Sequence, residues 1–173
     1  MSLRRPYPHQ LAPYHRDYVD RVPVGADIVA VLRAQVEEVA TVFASRPGGF
    51  RYGPEKWSLA EVLGHLVDGE QLMATRLRRV SRGDTSPLPG FEQDLYVREG
   101  HFDAVPMASL IAEFRALREA LVLQIQNMPE TGWDHEGIVN GMEVVARMYP
   151  FLIAGHVDHH LQVVRERYLK GQK

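Results

Sequence analysis

The chain has 173 residues, of which 45% are hydrophobic and 24% are charged, so it suits a single globular domain and is too apolar to be disordered. Its formal net charge of −2 gives no basic excess for binding a nucleic-acid backbone. The chain has no cysteine, which excludes disulfides and thiolate ligands, so a bound metal would need histidine or carboxylate ligands. No apolar run approaches the ~20 residues that cross a bilayer, and we expect a cytoplasmic protein.

The N-terminal segment of the chain is rich in proline, and the segment that follows it has helical periodicity. Residues 1–23 contain four prolines, and because proline interrupts helices we expect an extended N-terminal arm here that lies across the domain. From Asp27 onward, apolar residues recur every three or four positions, which is typical of an amphipathic helix. The recurring residues are Ile28, Leu32, Val36, Val39 and Phe43. We expect this helix to end at Arg46–Gly49.

The second helix has a recognisable start. Ser58 and Glu61 have the spacing of a capping box, in which each side chain bonds a free backbone N–H group. An apolar stripe follows, and Gly83 is suited to end the helix. The segment Asp84–Gly100 has no sustained period, which predicts a long connection.

A third helix is predicted between two prolines. Pro106 suits its first turn, an apolar stripe follows, and Pro129 closes it. We interpret Gly132–Gly141 as irregular, because the apolar pair Ile138–Val139 within it is too short for a strand.

The fourth helix is predicted from about Val145 to Leu169, with Pro150 either marking its first turn or kinking its start. Four amphipathic helices of this length predict an all-α four-helix bundle, which we assign to residues 24–173.

His156 and His160 are the strongest functional signal in the sequence. Positions four apart lie only about 40° apart around a helix, so both imidazoles share one face, and apolar residues flank that face on both sides. An imidazole buried without a partner costs about 1–3 kcal/mol, and a shared metal ion would satisfy both rings. We favour this interpretation over two histidines that each bond a neighbour in the core. His159 lies toward the polar edge of the stripe.

A metal site of this type needs a third ligand, and His65 on the second helix is the best candidate. Gly64 and Gly155 directly precede His65 and His156. Because glycine within a helix costs about 1 kcal/mol relative to alanine, both positions favour a close approach of another helix, the alternative being that both glycines are neutral. Asp68 and Glu70 follow His65 and could serve as a fourth ligand or a base, although solvated carboxylates are the commoner outcome on a helix flank. The remaining histidines are expected at the surface: His9, His15, His101 and His135.

Two motifs resemble those of the DinB/YfiT-like superfamily. Trp57 and Ser58 open a helix that continues with Glu61–Glu70 (EVLGHLVDGE), similar to the first motif of that family. Gly155–Gln162 (GHVDHHLQ) is similar to its last motif, and Trp133 matches a tryptophan that the family carries before the fourth helix. The resemblance covers roughly residues 27–169 and leaves the N-terminal arm outside.

This resemblance implies an up-down-down-up four-helix bundle, commonly a homodimer, with one divalent metal ion. It implies that His65, His156 and His160 hold the ion, which agrees with the helical-face argument for the last pair. Zn²⁺ and Ni²⁺ are the favoured ions, with Fe and Mn as alternatives.

Three imidazoles leave at least one coordination position for water or substrate, which is typical of a catalytic site. The resemblance implies a small-molecule substrate and a metal-dependent hydrolase, or an S-transferase that uses a low-molecular-weight thiol. Asp68, Glu70 and His159 are the candidates for orienting the ligands, since a ligating imidazole usually donates its second N–H to a neighbouring acceptor.

Two other interpretations stay open. The bundle could be a non-catalytic binding or stress-response protein with a structural or vestigial metal site. It could also bind DNA through a cluster of arginines on the second helix: Arg76, Arg78, Arg79 and Arg82. We favour a solvated face for these arginines, because cations are stabilised near a helix C-terminus, and we expect neither a nucleic-acid nor a membrane partner.

Overall fold

The computed structural model describes residues 3–170, which form six α-helices and one two-stranded hairpin. The helices are α1 (Pro13–Val19), α2 (Ile28–Phe43), α3 (Leu59–Ser81), α4 (Gln93–Gly100), α5 (Met107–Gln126) and α6 (Tyr149–Val163). The strands are β1 (Glu136–Val139) and β2 (Met142–Val145). Short 3-10 turns lie at Pro8–Gln10, Phe102–Ala104, Glu130–Asp134 and Ala146–Met148, and α6 continues as a π-helical segment, Val164–Leu169.

The four long helices form the bundle, with α2 and α3 at opposite corners and each packed against both α5 and α6. Residue pairs give the relative direction of α3 and α5. Glu70 of α3 pairs with Arg118 of α5, and Ala74, further along α3, accepts a hydrogen bond from Gln124, further along α5. The two helices therefore run parallel.

Helices α2 and α6 are also parallel. Gln35 bonds to Ala154, and Glu38 pairs with Arg165, so positions advance together along both helices. Two contacts show that α2 runs antiparallel to α5: Gln35–Arg118 and Glu37–Arg115. The order is up-down-down-up, and the predicted four-helix bundle is confirmed.

The hydrophobic core is divided into two clusters, one toward each end of the bundle. One cluster contains Leu32 of α2 and Leu77 of α3, and the other contains Phe43 of α2 and Leu63 of α3. Buried polar residues lie between the two clusters on every bundle helix. They are Gln35, Glu70, Arg118 and His156.

The N-terminal arm lies against the bundle but is partly helical. The expectation that its prolines exclude a helix is wrong for Pro13–Val19, because Pro13 occupies the first helical turn, where its missing N–H group is not needed. Helix α1 packs on α6. A Cβ atom on Gly155 would lie 1.8 Å from the backbone oxygen of Tyr18, so the close approach predicted at Gly155 is real and is made by α1.

The connection from α3 to α5 spans residues 82–106 and contains a helix that the sequence analysis did not predict. Helix α4 has eight residues and buries only Val97, so it leaves no periodic signal in the sequence. After α4, Phe102 packs against α3 where Gly64 leaves space for its ring, since a Cβ atom there would lie 2.2 Å from it. A close approach is therefore present at Gly64, but it is made by the 3-10 turn Phe102–Ala104 and not by a neighbouring helix of the bundle.

The segment before α6 forms an antiparallel hairpin, so the expectation of an irregular segment without strands is wrong. Asn140 and Gly141 both have positive φ, +51° and +73°, as required in a tight two-residue hairpin turn. Val145 pairs with Glu136 in this hairpin, and α6 therefore begins at Tyr149 rather than near Val145. Pro150 lies in the first turn of α6, which was one of its two expected positions. Within residues 3–170, no helix is both long and apolar enough to cross a membrane.

Candidate metal centre

His65, His156 and His160 come together between α3 and α6. The predicted capping box at the start of α3 is present, with Glu61 N–H donating to Ser58 Oγ and Ser58 N–H donating to the Glu61 carboxylate. On α6, His156 and His160 lie one turn apart and face α3. His65 of α3 lies against both of these rings.

The geometry of the cluster is compact. The Nε2 atoms of His65 and His156 are 3.0 Å apart, and one ring nitrogen from each of the three histidines lies within 4.8 Å of the others. The ring centroids are 5.0 Å apart for His65 and His156, 4.9 Å for His65 and His160, and 4.8 Å for His156 and His160. His156 and His160, which helical spacing places on one face, and His65, the third candidate, are thus neighbours in space.

Burial keeps the three imidazoles neutral. It lowers the pKa of His65 to about 4 and that of His160 to about 3. Burial also holds the pKa of His156 well below its usual value, with the neighbouring histidines adding to the effect. Neutral imidazole nitrogens are the form that coordinates a metal ion.

The arrangement fits a divalent metal ion. Two nitrogens bound to one Zn²⁺ at about 2.0–2.1 Å lie about 2.8–3.4 Å apart for bond angles of about 90–110°. The 3.0 Å separation of His65 and His156 falls in that range. A direct N–H···N hydrogen bond has a similar length, but it would satisfy only these two rings and leave His160 outside.

Two aromatic rings and Gly69 border the histidines. Trp57 packs on His65, with ring centroids 5.1 Å apart, and Tyr18 of α1 packs edge-on against His156 at 5.6 Å. A Cβ atom on Gly69 would lie 3.1 Å from Cε1 of His156, so the missing side chain at Gly69 makes room for this ring. The sequence analysis did not assign Gly69 this role, although it lies one turn after His65.

The three candidates for orienting the ligands have different surroundings. His159 is partly exposed and packs against Tyr18 and His160, with ring centroids 5.6 and 5.0 Å apart. Asp68 is partly buried, and the Glu113 carboxylate of α5 adds to burial in raising its pKa. Glu70 is fully buried and pairs with Arg118, so the expectation of a solvated carboxylate is wrong for Glu70.

Glu70 belongs to a buried hydrogen-bond network that we call the arginine network: Gln35, Glu70 and Arg118. Both carboxylate oxygens of Glu70 accept from Arg118, at 2.6 and 2.9 Å, and the Arg118 side chain is only 1% exposed. Arg118 also donates to Gln35 Oε1 and to the Leu32 carbonyl, while Gln35 Nε2 donates to the Ala154 carbonyl at 2.8 Å. These bonds connect all four bundle helices.

The sequence does carry a signal for this network. Each of the three polar residues occupies a position where the helical repeat calls for an apolar residue. Arg118, for example, lies four residues after Phe114 and three before Leu121 on the buried face of α5. Three such interruptions on three different helices indicate polar side chains that must find partners inside the bundle.

Two cavities border the histidine cluster. One has a volume of about 80 Å³ and is lined by His65 and His156, among others. The other has a volume of about 270 Å³ and is lined by His159 and His160. His15 lines the first cavity and is only 6% exposed, so the expectation of a surface position for His15 is wrong.

Three of the four arginines considered for DNA binding make side-chain contacts within the chain. Arg79 forms an ion pair with Asp84, Arg78 donates to Gln124, and Arg76 donates to the carbonyl of Pro89. Each of these contacts holds its arginine against a neighbouring segment of the protein.

The up-down-down-up topology and the three clustered histidines define a helical-bundle protein with a candidate metal centre. The chain belongs to the DinB superfamily, whose family model matches residues 30–164. This confirms the resemblance found in the two histidine motifs. No curated protein matches the chain.

Two solved structures are similar to this fold. One is YfiT from Bacillus subtilis, described as a probable metal-dependent hydrolase with an unusual four-helix bundle topology, at a TM-score of 0.67 and 11% identity. The similarity covers 95% of this chain and 93% of YfiT. The other is the mycothiol-dependent maleylpyruvate isomerase, at a TM-score of 0.67 and 13% identity. It covers 83% of this chain but only 61% of the isomerase. At these identities the similarity establishes the fold.

Proposed function

We propose that the chain is a metal-dependent enzyme that binds one divalent ion through His65, His156 and His160. The observation that carries this proposal is a cluster of three imidazole nitrogens within 4.8 Å of one another, two of them from buried rings and one from a half-buried ring. The chain has no cysteine, so this donor set favours Zn²⁺ or Ni²⁺, with Fe and Mn as alternatives. Three protein ligands leave a coordination position for water or substrate.

A bound divalent ion supplies Lewis-acid chemistry, lowering the pKa of a bound nucleophile or polarising a substrate carbonyl. The protein supplies the setting. His65, on α3, and the pair on α6 present neutral nitrogens from rigid helices, so little reorganisation is needed on binding. Trp57 and Tyr18 pack on the ligand rings and limit the access of bulk water.

We propose hydrolysis of a small-molecule substrate as the primary reaction, with transfer to or from a low-molecular-weight thiol as the second candidate. The similarity to YfiT, itself described as a probable hydrolase, extends over nearly the whole of both chains. The thiol-dependent isomerase has a large part with no counterpart in this chain. A homodimer, as the family resemblance implies, is part of the proposal and is tested by light scattering.

The first experiment is elemental analysis of freshly purified protein. We expect near one metal ion per chain in the wild type and near none in His156→Ala. His9→Ala is the matched control, because His9 is exposed and far from the cluster in sequence, and it should retain the metal. No metal in the wild type, even after incubation with Zn²⁺ or Ni²⁺, would overturn the ligand assignment.

A second experiment separates an enzyme from a non-catalytic bundle with a vestigial site. Ester and amide substrates are tested with the metal-loaded wild type, with and without added thiol, alongside His156→Ala. Turnover that depends on the metal without thiol supports hydrolysis, whereas dependence on both supports thiol transfer. Equal rates for wild type and variant would contradict a catalytic role for the cluster.

A further inference from the structure

The 80 Å³ cavity beside His65 and His156 contains two buried polar groups without a hydrogen-bond partner. The Tyr149 side chain is almost completely buried, and its hydroxyl has no partner among the described residues. The Nδ1 atom of His15 is likewise buried and unpartnered. An unsatisfied buried polar group costs about 1–3 kcal/mol, so two such groups facing one cavity point to a ligand that satisfies them.

The position of these two groups distinguishes them from an ordinary packing defect. The indole N–H of Trp133 is also buried and unpartnered, but Trp133 does not line this cavity. His15 and Tyr149 come from different elements, α1 and the start of α6, and the same cavity brings them together.

The charge of the cavity lining identifies the kind of ligand. Among the described residues that line it, Arg76 is the one formally charged side chain, and none is Asp or Glu. Burial lowers the pKa of His15 and raises that of Tyr149, so both groups are neutral at neutral pH. One cation beside two neutral polar groups suits a ligand with a single negative charge.

The size of the cavity limits that ligand to a small group. At ~30 Å³ for each water-sized group, about 80 Å³ holds only two or three such groups, which suits a carboxylate but not a large anion. One terminal nitrogen of Arg76 donates to the Pro89 carbonyl, which fixes the planar guanidinium, and its remaining N–H groups can donate to a carboxylate. The Tyr149 hydroxyl can donate to the same carboxylate.

We propose that this cavity binds the carboxylate group of a small-molecule substrate through Arg76, Tyr149 and His15. The inference rests on the proposed function in one respect: the rest of the substrate would leave the cavity on the side of the ion held by His65 and His156, which line that side. The carboxylate is then a positioning group, and the substrate class is a small organic acid or its derivative.

The test uses the metal-free protein, so that coordination of the probe to a metal cannot contribute. Acetate and its neutral isostere acetamide are titrated separately and followed by amide chemical shifts in NMR. We expect saturable shifts with acetate, centred on the cavity residues, and at least about tenfold weaker binding of acetamide. Equal binding of the two probes, or no saturable binding of acetate, would overturn the proposal.

Matched variants locate the binding site. We expect Tyr149→Phe and Arg76→Gln each to weaken acetate binding about tenfold, since each removes one polar contact. Tyr7→Phe and Arg78→Gln are the controls, because both residues are exposed and lie outside the cavity. Tyr149→Phe removes a hydroxyl without a partner, so the melting temperature of the unliganded variant should not fall. Acetate binding that is unchanged in both cavity variants would contradict the assignment.

The proposal of a carboxylate site and the proposal of a metal site can be tested independently. Loss of acetate binding in Tyr149→Phe, with metal content near one per chain, supports the carboxylate site alongside an intact metal centre. Acetate binding by a protein that takes up no metal would overturn the proposed metal enzyme and keep the carboxylate site. Metal binding without acetate binding would overturn the carboxylate site and keep the proposed metal enzyme.

Discussion

The arginine network and the histidine cluster are two groups of buried polar side chains within one bundle. In the arginine network every charge has a partner from the protein: Arg118 is matched by Glu70, and Gln35 bonds both Arg118 and the backbone of α6. In the histidine cluster, three neutral rings place nitrogens toward one another. Among the described residues, these rings are not joined into a closed set of charge and hydrogen-bond partners, as the side chains of the arginine network are.

The two regions are close enough to influence each other. The Arg118 charge contributes to lowering the pKa of His156, behind burial and the other histidines. The difference between the two regions indicates a structural role for the arginine network and a functional role for the histidine cluster. A closed network ties the helices together, while a group of ligands that the protein leaves incomplete is available to a metal ion. Stability should therefore depend most on the arginine network, and metal binding on the cluster.

The largest expected effect comes from breaking the arginine network. Arg118→Met leaves the Glu70 charge buried without its partner and should lower the free energy of unfolding by about 3–5 kcal/mol, measured by urea denaturation. The control is Arg115→Met on the same helix, whose pair with Glu37 is exposed and screened by solvent, so its loss should change the stability little. The double variant Glu70→Met/Arg118→Met should recover much of the loss. Equal losses for Arg118→Met and Arg115→Met would contradict this role of the network.

Metal removal should have the next largest effect. A metal ion present at a hundredfold excess over its dissociation constant stabilises the folded protein by about 2.7 kcal/mol. Chelation should therefore lower the melting temperature of the wild type and of His9→Ala, but leave that of His156→Ala unchanged. A similar response of all three proteins to the chelator would argue against the cluster as the binding site.

The metal-free protein should lose stability as the pH falls below about 6.5. The pKa values of His65 and His160 are lowered to about 4 and about 3 in the fold, so the unfolded chain takes up protons first. The stability contributed by the neutral rings is complete above about pH 6.5 and is lost as the pH falls toward 4. With His156 included, we expect a loss of about 2 kcal/mol between pH 7 and pH 6.

Urea denaturation at several pH values measures this loss. His160→Ala removes one of the titrating groups, so its stability should depend less steeply on pH over the same range. A slope equal to that of the wild type would contradict the assignment of the pH dependence to the histidines.

The smallest expected effect concerns the fit of His156. In Gly69→Ala the new Cβ atom would lie 3.1 Å from the His156 ring, which must shift by a few tenths of an ångström. Metal affinity should fall by about tenfold, as for other changes that disturb ligand orientation, while the melting temperature of the metal-free protein should not fall. Gly49→Ala is the control, because no atom lies within 4 Å of its added Cβ. Competition with a chromogenic chelator measures both affinities.

Helical periodicity predicted the bundle and singled out two of the three histidines that cluster in the fold. His156 and His160 stand in the centre of an apolar stripe, and their spacing alone places them on one face. His65 was the best third candidate on its own helix, and the family motif supported that choice, although no spacing relates α3 to α6. Helical spacing specifies which side chains of one helix share a face. Which other helix packs against that face depends on the tertiary structure.

Features that depend on tertiary contacts were predicted poorly. Glu70 was expected in solvent because its partner, Arg118, lies 48 residues away, and His15 was expected at the surface because the cavity that covers it is built from several elements. The hairpin was missed although Asn140–Gly141 is a favourable turn pair, because its flanking strands have only four residues each.

The parallel pairing of α3 and α5 requires the chain to return along the whole length of the bundle. Helix α3 has 23 residues and is about 35 Å long, so residues 82–106 must span a comparable distance before α5 can begin. This return path brings Phe102 onto Gly64, beside His65, and brings Phe91 and Gln93 into the lining of the small cavity. The connection that the topology requires thus also forms one wall of the site, and no further segment is needed for it. Variation in the length or composition of this one connection would change which molecules fit beside the histidines, while the four helices that hold them stay the same.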